Sequence, residues 1–375
     1  MEAQNISASI ETHFGSITDP RIERNKLHLL SDILTIAICA SICGADKWED
    51  VEDFGKAKEN WFRTFLALPN GIPSHDTFNR VFNRMDPKEF QESFLSWINA
   101  ASELIGGQVI AIDGKVLRRS HDRGVGKSAI DMVSAWATEN HLVLGQVKVD
   151  EKSNEITAIP QLLKALEITG CIITIDAMGC QKSIAAEIVE QGAEYILALK
   201  DNQGNLFEDV KLLFDDLEGS EYKAYPFDYH ITVNKGHGRI EIRECWTISA
   251  TETLSHLRGY ADWTKLTTVS RIRAQRWIRE EKSCEDRYHI ASVSGARTVR
   301  SHWGIENELH WTLDMTFDED RSRVRKDYGA ENLAVLRHIA LNLLKQEKSC
   351  KRSVRGKRLL AGWDEDYLSK VLQGL

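Results

Sequence analysis

Two short apolar stretches of this 375-residue chain each end in an aspartate. Segment 109–113 reads VIAID and segment 172–176 reads IITID, so each predicted strand carries a carboxylate, Asp113 or Asp176, at its C-terminal end. The carboxyl ends of strands are where α/β sheets collect their ligands. One such aspartate could be a buried or capping residue. Two in the same pattern favour a shared site.

A third carboxylate is expected from a predicted helix that contains SHWGIENELHW, segment 301–311. In a helix, Glu306 shares a face with His302 and His310, because residues four apart are neighbours. Glu308 lies about 200° around the helix from Glu306 and is expected to face solvent. We therefore select Glu306 as the third acidic residue, with Asp314 as a weaker candidate.

Three carboxylates and no evident nucleophile are typical of metal-dependent phosphoryl chemistry. Mg²⁺ prefers oxygen ligands, and two ions can clamp the attacking and leaving oxygens of a displacement at phosphorus. The histidines beside Glu306 could instead suggest zinc, but the HExxH spacing is absent. No G-x-S-x-G elbow or Walker loop occurs. The prediction is a site for two Mg²⁺ ions, for which Mn²⁺ could substitute.

Basic and amide side chains close to these predicted strand ends are candidates for binding phosphate. Lys, Arg, Asn and Gln are the usual residues that position a protein on a nucleic-acid backbone. Each residue alone could equally be a solvated surface group. The candidates for contact with DNA are Lys115, Arg119, Lys200, Asn202, Gln203, His237, Arg239, Arg243, His302 and His310.

Composition and charge bound the possible classes of protein. A net charge of −8 argues mildly against DNA binding, but segments such as 321–326 (RSRVRK) are locally basic. The longest apolar run, 33–45, is shorter than the roughly 20 residues of a membrane helix. The N-terminus lacks a signal-peptide pattern, and the seven cysteines are scattered. We expect a cytoplasmic, nucleoid-associated protein with no membrane partner.

The elements that would position the site follow a recognisable order. After an all-helical segment 1–105, the pattern predicts three strands, a helix, a strand, a helix and a strand over 106–203. This is the order of the RNase H-like fold, an α/β class. Residues 204–296 are predicted to be a β-rich insertion, residues 297–345 return to the core as helix, and 346–375 are a tail. In the helical segment, Asn79, Arg80, Asn83 and Arg84 share a face, which could be a recognition helix or a solvated surface.

The sequence resembles the DDE-type insertion-sequence transposases, in the subgroup of H-repeat-associated proteins. The resemblance rests on VIAIDGKVLRRS, DEKSNEITAIPQLL, IITIDAMGCQKSIA and HWGIENELHWTLDMTFDED, among other stretches between about residues 27 and 342. It implies a helical transposase-associated N-terminal domain, an RNase H-like catalytic core with a β-rich insertion, and the metal-binding acidic triad Asp113, Asp176 and Glu306. Of the family's Tyr-Arg-Glu-Lys signature only the glutamate is kept, since Val299, His302 and Leu313 occupy the other positions.

The resemblance also implies an activity and its partners. The enzyme is expected to hydrolyse a phosphodiester at the ends of its element and to transfer the freed 3′-hydroxyl into target DNA. It would bind terminal inverted repeats and act as a homodimer in a synaptic complex. Two alternatives remain open from the residues: an inactive DNA-binding remnant of a mobile element, and a metal-dependent DNA nuclease without joining activity.

Overall fold

The fold is described here from a computed structural model. It covers residues 9–101, 106–121, 128–150, 153–236, 239–278, 281–296 and 305–374, without the side chains of Asn25, Glu306 and Asn307.

Over residues 9–101 the regular elements are helices and no strand occurs, as the sequence predicts. The apolar run forms a buried helix that ends at Cys43, where Gly44 adopts a left-handed conformation (φ 105°) and its N–H bonds to carbonyls of the last turn. Two successive helices, Trp48–Ala57 and Glu59–Phe62, are separated at Lys58, which leaves helical geometry (φ −107°, ψ 13°). The helices are α1 (Leu30–Cys43), α2 (Trp48–Ala57), α3 (Glu59–Phe62), α4 (His75–Arg84) and α5 (Pro87–Ala101).

The middle of the chain forms five strands and two helices in the predicted order. In space the strands are ordered β3-β2-β1-β4-β5. Strand β1 is antiparallel to β2 and parallel to β4, and β4 is parallel to β5. The elements are β1 (Val109–Leu117), β2 (Ile130–Ala137), β3 (Leu142–Lys148), α6 (Glu155–Ala165), β4 (Ile172–Ile175), α7 (Lys182–Glu190) and β5 (Glu194–Leu199).

The segment predicted as a β-rich insertion opens with a helix and then extends the same sheet. Helix α8 (Gly204–Gly219) buries Leu206, Val210, Leu213 and Leu217, a spacing typical of an amphipathic helix. A short helix, α9 (Thr251–Leu254), follows the second of four long antiparallel strands. These are β6 (Asp228–Gly236), β7 (Arg239–Ile248), β8 (Thr268–Ile278) and β9 (Glu281–Ala291). Strand β9 pairs with β5, so the sheet has nine strands and ends at β6.

From Ile305 the C-terminal part consists of helices joined by short irregular segments, and the segment expected to be a tail contains two of these helices. A π-helical turn, Ile305–His310, leads into α10 (Trp311–Thr316). Helix α11 (Gly329–Gln346) is followed by α12 (Val354–Trp363) and α13 (Glu365–Leu372). Among the described helices, none is both long and apolar enough to cross a membrane.

Helices cover the two faces of the sheet, and each layer has its own core. On one face, the N-terminal helices share a core with α11 and α13, and this core includes Ala111 and Trp136 of the sheet. On the other face, α6, α7 and α8 pack on Ile112, Ile173 and Leu197. The helical N-terminal region therefore packs directly on the predicted catalytic core and on the C-terminal helices.

Helix α4, the candidate recognition helix, packs inside this layer. Asn83 is buried, and its Nδ2 donates to Oδ1 of Asn79 at 2.9 Å. Asn332 of α11 donates to the carbonyls of Phe82 and Met85. Only the exposed Arg80 and Arg84 remain of the polar face, so the packing favours the interpretation as a structural helix.

Candidate active site

The two aspartates singled out from the sequence lie side by side on neighbouring parallel strands. Ile112 of β1 pairs with Ile175 of β4, so Asp113 and Asp176 are the next residues on each strand. Strand β1 itself continues to Leu117 along β2. Asp113 therefore stands where the pairing with β4 stops and not, as predicted, at the end of its strand. Both aspartates line one cavity of about 260 Å³.

Backbone amides orient both carboxylates. Oδ1 of Asp113 accepts the N–H of Gly114 at 2.9 Å. Oδ1 of Asp176 accepts the N–H groups of Met178 and Gly179, at 3.1 and 3.3 Å, in the turn after β4. Both bonds end on the same oxygen, Oδ1. Carboxylates held by backbone amides are pre-oriented acceptors for a cation.

The predicted third carboxylate, Glu306, belongs to the π-helical turn that packs against β1. Its neighbour Ile305 lines the same cavity as the two aspartates. The side chain of Glu306 lies outside the described residues, as does all of His302. Glu308 forms an ion pair with His141 and is partly exposed, away from the cavity residues. Single π-helical turns are frequent at functional sites.

His310 ends this turn and faces Asp113 instead of the surface. Its Nδ1 lies 3.5 Å from Oδ2 of Asp113, and the ring is mostly buried. Burial, together with the nearby Lys115 cation, lowers the pKa of His310 to about 4. The ring is therefore neutral at neutral pH. Its position suits orienting Asp113 better than the DNA contact expected from the sequence.

Lys115, another expected DNA contact, is directed into the protein. Its Nζ lies 2.5 Å from Oδ1 of Asp314 and 2.6 Å from Oε2 of Glu319. Burial lowers the pKa of Lys115, but the charge of Glu319 and the hydrogen bonds to both carboxylates raise it overall. The ammonium group thus joins β1 to the segment after the π-helical turn. Asp314, the weaker candidate for the third carboxylate, is engaged in this ion pair.

The residues expected after β5 do surround the loop that carries Asp176. Lys200 lines the cavity of the aspartates. The Nδ2 of Asn202 donates to the carbonyl of Ala177 at 2.7 Å, and Nε2 of Gln203 donates to that of Cys180 at 2.9 Å. Both amide donors brace the turn after β4. The hydrogen bond from Arg287 lowers the pKa of Glu285, another residue that lines this cavity, and the charge of Lys200 also contributes to lowering it.

The basic residues expected from the insertion lie on the face of the sheet that carries the aspartates. Pairing through β5, β9 and β8 places Arg239 and Arg243 of β7 on this face. Arg243 also donates to Oε2 of Glu241 at 3.0 Å. His237 lies outside the described residues. Arg119 is exposed and lies two residues after the end of β1. It lines a second cavity of about 670 Å³, together with Arg321 and Arg323.

Glu155, at the first turn of α6, is a candidate that the sequence analysis missed. Its carboxylate lies so close to the Cα of Gly114 that a Cβ there would meet Oε1 at 1.9 Å. Burial, and next the charges of Asp176 and Asp131, raise its pKa. The sequence feature that could have identified Glu155 is its place directly after Asn154, which caps the first turn of α6. The helix begins beside the strand ends. Strand β9 adds Glu285, Asp286, Arg287 and His289 to the cavity.

The donor chemistry of the cavity fits a hard divalent cation. Asp113 and Asp176 offer carboxylate oxygens, which are the ligands that Mg²⁺ and Mn²⁺ prefer. Over the described residues, no group of three or more histidine, cysteine or acidic side chains is arranged to hold a metal ion. The two aspartates would therefore need a further ligand, and Glu306 follows the cavity residue Ile305.

Family models and curated relatives match almost the whole of this chain. Residues 11–98 match the family model "DDE_Tnp_1-associated", and residues 105–343 match the model "Transposase DDE domain". The "H repeat-associated putative transposase YhhI" of Escherichia coli K12 is 41% identical over 374 residues, with coverage of 96% of this chain and 97% of the relative. The "Putative transposase YncI" of E. coli O157:H7 is 40% identical over 372 residues, covering 97% and 94%.

Among solved structures, a remote likeness is found to the cryo-EM structure of a piggyBac transposase synaptic complex with hairpin DNA. It shares 10% identity with a TM-score of 0.44 and covers 98% of this chain and 77% of that one. The likeness is too distant to support an argument about function. The sequence relationships are sufficient by themselves and confirm the resemblance read from the motifs: this chain belongs to the DDE domain family of transposases, among its H-repeat-associated members.

Proposed function

We propose that this protein is a metal-dependent DNA transposase whose active centre is built on Asp113, Asp176 and Glu306. The observation that carries the proposal is the pair of aspartates side by side on β1 and β4 in one cavity. In a transposase family member this pair has an obvious use in phosphoryl transfer. The strand order β3-β2-β1-β4-β5, with β2 antiparallel, further supports an RNase H-like core.

Asp113, Asp176 and Glu306 would hold two Mg²⁺ ions, or Mn²⁺ in their place. When bound, such ions activate a water molecule and stabilise the leaving oxygen of a phosphodiester. His310, neutral and 3.5 Å from Asp113, would hold that carboxylate in place. Lys200 would bind a phosphate at the rim of the cavity, and Arg239 and Arg243 would contact the backbone farther along the sheet.

The reaction that these groups support has two displacements at phosphorus. In the first, water attacks the phosphodiester at the element end, and the 3′-oxygen leaves and takes up a proton. In the second, the resulting 3′-hydroxyl attacks a phosphodiester of target DNA, the 3′-oxygen of the target strand leaves, and the proton of the attacking hydroxyl passes to that oxygen. The substrates would be the terminal inverted repeats of the element and target DNA, and two copies would act together in a synaptic complex.

Cleavage of DNA that carries the element's own ends tests this proposal. Wild-type protein in Mg²⁺ should cut at the ends and give joined products, while Asp113→Ala should bind the ends but cut nothing. Cleavage without joined products would support a nuclease without joining activity. Binding without cleavage in Mg²⁺ or Mn²⁺ would support an inactive remnant.

The assignment of the third carboxylate has a matched control on the same turn. Glu306→Gln should abolish cleavage, because it removes a ligand charge. Glu308→Gln should leave cleavage within a few-fold of wild type, since Glu308 pairs with His141. Equal losses in the two variants would overturn the choice of Glu306.

A further inference from the structure

The two edges of the nine-stranded sheet differ in whether other parts of the chain cover them. At one edge, β3 is covered by α5, α6 and α11. Asn342 of α11 bonds to both outward-facing backbone groups of Val143: its Oδ1 accepts the N–H and its Nδ2 donates to the carbonyl, each at 2.8 Å. This side chain takes the place of a neighbouring strand. The β3 edge is therefore closed to another chain.

The other edge, β6, is open over the part of the chain that the structure describes. Of the described strands, β7 alone pairs with β6. Three side chains on one face of β6 are large and exposed: Tyr229 by 41%, Ile231 by 46% and Val233 by 51%. No Lys, Arg, Asp or Glu occurs from Tyr229 to Asn234. Natural edge strands are usually kept from pairing by charges, proline or short length, and this nine-residue strand lacks such protection at its centre.

We propose that β6 pairs in antiparallel fashion with β6 of a second copy of this chain, about a two-fold axis at Thr232. In a continuous sheet, the side chains of two paired residues lie on the same face. Odd-numbered and even-numbered residues of β6 point to opposite faces, so an odd residue of one copy must pair with an odd residue of the other, and an even residue with an even one. Of the registers that satisfy this, the one centred on Thr232 pairs all nine residues of β6. Such a contact is isologous, because each copy presents the same surface.

The side chains of β6 are complementary to themselves in this register. Ile231 faces Val233 of the second copy, and Thr232 faces Thr232. Tyr229 faces Lys235, whose aliphatic stem can cover the ring. No two like charges stand opposite each other, and cross-strand pairs of β-branched residues are among the stabilising ones. Pairing also satisfies the outward N–H and C=O groups of the strand.

Site-specific disulfide formation tests both the partner and the register. In a Cys284→Ser background, which removes the exposed native thiol, Thr232→Cys brings two thiols together at the axis. Directly opposed residues have Cα atoms about 4.5–5.5 Å apart, within the range that a disulfide spans. The control Asn234→Cys lies on the same face, but its two copies would be about 14 Å apart along the strands. Full-length protein without DNA is oxidised and run on a non-reducing gel.

The expected result is a covalent dimer for Thr232→Cys in most of the protein, with at least tenfold less for Asn234→Cys and for the Cys284→Ser parent. No excess of dimer for Thr232→Cys over the parent would overturn the proposal. Equal cross-linking at both positions would also overturn the proposal, because it would show that two copies collide at random and do not pair in one register.

A second measurement, mass by light scattering, does not depend on thiol chemistry. The double variant Ile231→Lys/Val233→Lys places four like charges around the axis and should shift dimer to monomer. Ile278→Lys, at a site 49% exposed on the opposite face, should leave the mass unchanged. A wild-type chain that is monomeric at tens of micromolar would contradict the pairing. The test needs no cleavage activity, so it stands apart from the proposed DNA chemistry.

Discussion

Glu319 is the buried anion shared by the ion pairs next to the candidate active site. Its side chain is 2% exposed, with Oε2 at 2.6 Å from Nζ of Lys115 and Oε1 at 3.5 Å from an Nη atom of Arg337. Burial raises the pKa of Glu319, but Lys115 and Arg337 lower it overall. At neutral pH it is a carboxylate that joins strand β1 to helix α11.

Replacing Glu319 by glutamine keeps the shape of the side chain and removes its charge. Lys115 keeps Asp314 as a partner, whereas Arg337, whose side chain is 5% exposed, faces a neutral amide. Removing one partner of a buried ion pair typically costs about 3–5 kcal/mol, because the remaining charge is left uncompensated. We expect a loss of roughly 3 kcal/mol in the free energy of unfolding, since Lys115 stays paired.

Chemical denaturation at pH 7 measures this loss, with Asp314→Asn as the matched control. Asp314 is 28% exposed and shares Lys115 with Glu319, so its removal should cost only about 1 kcal/mol. A change below about 1 kcal/mol for Glu319→Gln, or one no larger than for Asp314→Asn, would refute the reasoning from an uncompensated buried charge.

Three further results are expected. Gly114→Ala should reduce DNA cleavage several-fold, because its Cβ displaces the Glu155 carboxylate. If the effect acts through this contact, the double variant Gly114→Ala/Glu155→Ala should cleave DNA at the same rate as Glu155→Ala alone. Gly329→Ala should lower the free energy of unfolding by about 1–3 kcal/mol, since its Cβ would lie 2.1 Å from Oδ1 of Asn83; Gly204→Ala, with open space around it, should be neutral or stabilising, and equal losses would contradict the packing argument. Burial lowers the pKa of His338 to about 4, so below pH about 6.5 the unfolded chain binds a proton that the folded chain does not, and stability falls towards pH 4 by up to about 1.4 kcal/mol per pH unit. The difference between the denaturation midpoints at pH 7 and pH 5 should be smaller in His338→Gln than in the wild type, with His310 keeping the remainder, and an unchanged difference would refute this origin.

The strands of the core could be predicted because their patterns are local. Alternating or continuous apolar runs with turn residues between them located β1 to β5 closely. The C-terminal helices α12 and α13 were missed, because the segment looked like a basic tail followed by acidic residues. In the structure, Nζ of Lys357 donates to the carbonyl of Leu344 at 2.8 Å and an Nη atom of Arg358 to that of Ser41 at 3.1 Å. The partner of Lys357 lies on the preceding helix and that of Arg358 lies 317 residues away, and charge patterning reveals neither contact.

The candidate site likewise contains residues that could be predicted from the sequence and residues that could not. Asp113 and Asp176 could be paired from sequence, since both follow apolar strands and parallel strands end at one edge. The engagement of Lys115 with Glu319 could not be predicted, because 204 residues separate them. Glu155 was missed because its approach to Gly114 depends on how α6 packs on β1, a tertiary contact with no periodic signature.

The central claim is that Asp113 and Asp176 hold a catalytic divalent ion, and a metal-specificity switch tests it most directly. A thiolate binds Mg²⁺ poorly but accepts softer ions such as Mn²⁺. Asp176→Cys should therefore cut element-end DNA at least tenfold faster in Mn²⁺ than in Mg²⁺, relative to the same ratio for the wild type. Asp176→Ala, the control, should be inactive in both ions. Wild-type cleavage that persists in EDTA, or an Asp176→Cys variant whose ratio matches the wild type, would contradict a metal held by this carboxylate.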